Sequence, residues 1–163
     1  MMSTPPTALS LAQLQQLASA GVPPTGQILN LLITMGDSDE ETRAWASDVL
    51  QSIEVLPQEL ADSVAANCLD PQPAVAAWAC ILLGKLESDT SKYQSNIAAC
   101  LNLHPSVSTR QQAALALGSI AEHQPANFEP ATIEALQRAA ASDDPRLKRL
   151  SAAALATHEK QSS

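Results

Sequence analysis

Four stretches of this chain can be set under one another in register, and that recurrence limits the fold more than any other feature. They are DSDEETRAWASDVLQSI from Asp37, DPQPAVAAWACILLGKL from Asp70, HPSVSTRQQAALALGSI from His104 and SDDPRLKRLSAAALATH from Ser142, with starts 33, 34 and 38 residues apart. Trp45 falls under Trp78, Ala46 under Ala79 and Ala113, and Ile53 under Leu86 and Ile120. Leu50, Leu83, Leu117 and Leu155 make another column, Arg43, Arg110 and Lys148 a third, and Gly84 and Gly118 a fourth.

Each stretch reads as a turn followed by an amphipathic helix. The fifth, eighth, ninth and twelfth positions are expected to gather on the buried face, at 100° per residue. Start signals accompany the pattern: Ser38 with Glu41 as a capping box, Asp144 as the cap before Pro145, and Pro73 in a first turn. Between these helices lie further helical segments over 25–36, 57–69, 91–103 and 130–141, so every repeat pairs two helices. One more helix, over 7–21, ends at Gly21 and the Pro23-Pro24 break and is expected to cap the N-terminal end. The expected division is a tail and capping helix over 1–24, then repeats over 25–54, 57–87, 91–123 and 130–158. Residues 159–163 are expected to fray.

Composition agrees with an all-α chain. Residues of the apolar class make up 45%, yet only four are aromatic, two Trp, one Tyr and one Phe, while 29 are Ala. Small side chains let helix axes approach closely, and alternating β-branched runs are scarce. No pair of helices could bury its apolar face alone. Stacked pairs share one interior, which gives a short right-handed α-solenoid of about four helix-turn-helix repeats whose second helices line one broad face.

The columns resemble the HEAT-repeat family, including its bacterial members. In that family the turn carries Asp-Pro, the second helix opens with Val-Arg, and Ala-Ala-x-Ala-Leu-Gly follows. This chain has Asp70 and Pro71, Val75, the run Ala113 to Gly118, and Leu147 with Lys148. It departs at Ala76, at His104 and Ser142 in the Asp column, and at Gln51 in the Gly column. The resemblance extends over residues 25–158. It implies a ladder of charge-assisted bonds between adjacent repeats, from Asp37 or Asp70 to Arg43 or Arg110.

Charge narrows the partners. The net charge is −8; residues 1–90 hold 11 acids and 2 bases (net −9), and residues 91–163 hold 6 acids and 7 bases (net +1). Such a balance argues against nucleic acid and against an anionic membrane, both of which need a basic surface. Arg146, Lys148 and Arg149, with Arg138 and Lys160 nearby, fall on the last repeat and read as a charged terminal cap. HEAT-like nucleic-acid glycosylases would need basic second helices throughout.

No catalytic or metal-ligating pattern stands out. His104, His123 and His158 are scattered, and the iron-dependent HEAT-like hydroxylases would need several His-Glu pairs where this chain has only His158 with Glu159. Cys68, Cys80 and Cys100 form no CxxC pair and read as reduced core residues. The start lacks a basic segment before a long apolar one, so no signal peptide or membrane span is expected and the cytoplasm is the expected location.

What remains is a docking surface. Trp45 and Trp78 lie at the edge of their helices, where stacked axes about 8 to 10 Å apart would bring their rings together. Ile81 and Leu115 are aliphatic where a solvated face would be polar, and Asp48, Gln111 and Gln112 edge the strip. Trp45, Trp78, Ile81, Gln111, Gln112 and Leu115 are therefore the candidate contacts for a protein segment or peptide, in a non-catalytic module without cofactor. An alternative follows from the resemblance, because HEAT-like repeats also form bilin lyases and chaperones. The same tryptophans, with Arg110 for a propionate, would then hold a tetrapyrrole or its acceptor protein.

Overall fold

The computed structural model describes residues 5–87, 90–123 and 128–162, and the chain divides into two compact units between Glu54 and Val55. Among the described residues there are nine α-helices and no strand.

The first unit holds α1 (Leu11–Ser19), α2 (Ile28–Thr34) and α3 (Glu40–Gln51). Ser10 caps α1 reciprocally: its hydroxyl accepts the Gln13 N–H at 3.2 Å and its own N–H donates to Gln13 Oε1 at 2.8 Å. Gly21 follows in the left-handed region at φ 73°, which only glycine enters without strain. Both α1 and α2 pack on α3, burying Leu14, Ile28, Leu31, Leu32 and Leu50 completely. The leading segment is tied down by the Thr7 N–H donating to Asn30 Oδ1 at 2.9 Å and the Leu9 N–H donating to Thr34 Oγ1 at 2.8 Å.

The start of α3 differs from the expected capping box at Ser38 and Glu41. Asp39 is the cap, with Oδ2 accepting both the Thr42 N–H at 2.9 Å and the Thr42 hydroxyl at 2.6 Å. Two donors on one residue outcompete a single serine interaction. They hold the Asp39 carboxyl below its ordinary range, the Thr42 hydroxyl contributing most.

The second unit runs α4 (Ala61–Ala65), α5 (Pro73–Leu83), α6 (Gln94–Leu103), α7 (Val107–His123), α8 (Pro130–Ala140) and α9 (Pro145–Ser162). Its helices make two layers. In one, α7 packs between α5 and α9; in the other, α6 packs on α8. The pairs α4 with α5, α6 with α7 and α8 with α9 join the layers. This is the short α-solenoid expected from the repeat. Pro73, Pro130 and Pro145 each open a helix, where the missing N–H costs nothing. The last helix runs on into the segment expected to fray, as far as Ser162, with Phe128 stacked on His158 at 4.8 Å and Gln161 Nε2 donating to the Glu122 carbonyl at 3.4 Å.

The buried arc is turned relative to the expected one. Counting along each 17-residue stretch, the fifth, eighth, ninth and twelfth positions are exposed or half-buried, and the sixth, tenth and thirteenth are buried in all four. In an alanine-rich chain the small residues do not mark one face. The tenth column is Ala46, Ala79, Ala113 and Ser151, all fully buried. Ser151 is the exception in chemistry, since its buried hydroxyl has no hydrogen-bond partner. Ser151→Ala is expected to raise stability by about 1 kcal/mol, through removal of an unsatisfied polar atom and better helix propensity, measured by chemical unfolding.

All three cysteines are free and buried. The neighbouring Cys100 and Cys68 thiols, together with burial, push the Cys80 thiol far above the ordinary range.

Candidate protein-docking face

The turns that align the second helices are tied by backbone oxygens, neutral side chains and the Asp144 carboxylate. Among the described residues no ion pair joins Asp37 to Arg43 in the first unit or Asp70 to Arg110 in the second, where the ladder was expected. Arg43 donates to the Asp37 carbonyl at 2.7 Å inside its own repeat, and the Asp70 carboxylate accepts the neighbouring Gln72 N–H at 2.8 Å. His104, read as a departure from Asp, carries the tie instead. Its Nδ1 accepts the Ser106 N–H at 3.1 Å, so Nε2 bears the proton and donates to the Asp70 carbonyl at 2.9 Å, one repeat back. The Thr109 hydroxyl donates to the Pro73 carbonyl at 2.9 Å across the same step.

At the next step Gln111 Nε2 donates to Asp144 Oδ2 at 2.8 Å, while the same oxygen accepts the Leu147 N–H at 2.7 Å. These bonds, led by the Leu147 amide and followed by Gln111, hold the Asp144 carboxyl below its usual range, with Arg110 and Arg146 adding to the effect. Gln111 therefore also serves the turn. Arg110 acts on Asp144 of the following repeat through its charge, and its Nε is buried without a hydrogen-bond partner.

With the turns fixed in this way, the ninth and twelfth columns come to the open side of the second-helix layer. On α5 these are Trp78 and Ile81, both half-buried; on α7, Gln112 and Leu115; on α9, Leu150 and Ala153. Leu115 is 47% exposed, a large aliphatic side chain in water. Trp45, also half-buried, holds the same column in the first unit.

Between α7 and α9 the layer opens into a groove of about 360 Å³. Its floor is made of Ala114, Gly118, Ala153 and Ala154, and Leu115 and Leu150 line it. Of the six candidate contacts only Leu115 lines this groove. Leu150 and Gly118 were not singled out from the sequence, although both belong to columns already aligned.

Gly118 keeps the floor low. A Cβ there would rest 3.7 Å from the Ala154 Cβ, an ordinary contact. At Gly84, one repeat earlier, it would meet the Ile81 carbonyl at 3.3 Å and the Ala116 Cα at 3.5 Å. Gly118→Ala is accordingly expected to raise stability by about 0.5 to 1 kcal/mol in thermal unfolding, with no such gain for Gly84→Ala.

A profile of HEAT repeats matches residues 63–156, more than half the chain, and the chain belongs to the HEAT-repeat family. Among curated proteins none matches it. HEAT repeats generally mediate protein-protein interaction and are typically non-catalytic. No helix among the described residues is long and apolar enough to cross a membrane, and no group of His, Cys, Asp or Glu among them could hold a metal ion.

Proposed function

We propose that this chain is a non-catalytic interaction module of the cytoplasm that holds a protein segment on the face of its second helices. In this reading the repeats are 25–54, 57–87, 91–123 and 130–158, with 1–24 as the N-terminal cap. On the second unit Trp78, Ile81, Gln111, Gln112 and Leu115 make contact, and Trp45 holds the corresponding column of the first unit. The observation that carries the reading is the open apolar groove between α7 and α9 with Leu115 standing 47% exposed beside it. A rigid wall of small residues edged by larger apolar ones suits a chain segment better than an enclosed substrate. The tetrapyrrole alternative gains no comparable support. Arg110, the base that reading needs, is not among the residues lining the groove.

The test is capture of partners from the native host by wild type and by Trp78→Ala. Binding of a captured partner is expected to weaken by more than about 1 kcal/mol while the folded baseline is kept. Loss of thermal stability with no separate loss of binding would assign Trp78 to the core and remove it from the face.

A further inference from the structure

Resting on that reading, we propose that the groove between α7 and α9 receives an amphipathic helix with acidic flanks.

The groove selects a helix by what it lacks. Along the floor of Ala114, Gly118, Ala153 and Ala154 an extended segment would find no side-chain partner for its main-chain N–H and C=O groups, and the polar lining is confined to Ser119, Glu122 and Thr157. The hydroxyl of Thr157, at the groove's side, is committed to the Ala153 carbonyl at 3.0 Å. A helix satisfies its own backbone and presents only side chains. The floor from Ala114 to Glu122 runs about 12 Å along α7, two turns of a docked helix. Small floor residues let its axis approach, and Leu115 and Leu150 pack beside its apolar stripe.

The sign of the flanks follows from α9. Arg146, Leu150, Ala153 and Thr157 recur at helical spacing on one flank, and Arg149 lies beside them; both arginines are exposed. Lys160 extends the same side past Thr157. Against these stand Glu122 at the far end and Asp144, whose Oδ2 is bonded to Gln111 and Leu147. The rim is thus basic on a chain whose net charge is −8. It favours carboxylates and repels a basic helix.

Two fluorescein-labelled synthetic helices of about 18 residues, with one Leu/Ala stripe and either Glu or Lys at the flanking positions, distinguish the outcomes by anisotropy against the full chain. The Glu peptide is expected to bind about tenfold tighter than the Lys peptide at low salt, the preference shrinking as salt screens the rim. The exposed pair Arg146→Glu with Arg149→Glu should erase the preference without loss of helical circular dichroism, and Leu115→Asp should weaken both peptides about tenfold. Equal binding of both peptides, still sensitive to Leu115→Asp, overturns the acidic assignment and leaves the docking face in place. A preference untouched by the arginine reversal overturns it as well, as does failure of both peptides to bind. So does a labelled single-stranded RNA that competes for the groove, or self-association abolished by Leu115→Asp, which would make the occupant a second copy of the chain.

Discussion

Leu117→Ala is expected to lower the stability of the second unit by about 3 to 5 kcal/mol, the upper part of the range for such truncations. Leu117 is fully buried on α7, the helix that packs against α5, α6 and α9. Its helical neighbours Ala113, Ala114, Ala116 and Ala121 are themselves buried. Alanine has no rotamer with which to move into a void. The surrounding helices are also held by their turns, through His104 to Asp70 and Gln111 to Asp144. The cavity therefore persists, and both interfaces of an interior repeat are weakened together. Denaturant unfolding of Leu117→Ala beside Leu103→Ala, a residue 69% exposed near the end of α6, separates this from a general effect of losing leucine. The exposed site should change by less than about 0.5 kcal/mol. A loss below about 1 kcal/mol at Leu117 would mean that the interior collapses freely, contrary to close packing of alanine-rich helices.

The same leucine column shows what the sequence could reveal. Leu50, Leu83 and Leu117 recur one repeat apart and are all fully buried, so the period alone located the core of the second helices. The buried arc was harder to orient, because alanine occupies both faces of α5 and α9 and carries little directional information. Positions nine and twelve thus reached the surface instead of the interior. That turn is what places Leu115 beside the groove with Leu150 and Ala153. Cap choice at α3 depended on whether Ser38 or Asp39 could reach two donors of Thr42, which spacing does not decide. The ties between turns were legible in one respect only. His104 to Asp70 spans 34 residues, the repeat step there, whereas Gln111 to Asp144 spans 33 against a step of 38. Their chemistry was not, because charge columns suggested ion pairs where a carbonyl, an imidazole and an amide make the contacts.

A link in the other layer left no sequence signal, and its removal gives the second large expected effect. Gln94, fully buried at the start of α6, accepts the Glu129 N–H at 3.1 Å and the Thr132 hydroxyl at 3.2 Å through Oε1. Glu129 caps α8 and Thr132 lies in its first turn, 1% exposed, so one oxygen fixes where α8 begins on α6. Gln94→Leu nearly preserves volume but strands both donors in a dry interior. Each unsatisfied group costs about 1 to 3 kcal/mol, so a total loss of about 2 to 4 kcal/mol is expected. Thr132→Val removes one of the stranded donors. In a double-mutant cycle the pair should lose less than the sum of the single changes, by at least about 0.5 kcal/mol. Strict additivity would show that Gln94 Oε1 and Thr132 do not interact, and a Gln94→Leu variant as stable as wild type would show that the start of α8 is held by packing alone. The result also bears on the docking face, since α8 supports α9, and α9 forms one wall of the groove. A loosened α8 should blunt peptide binding without touching any residue that lines it.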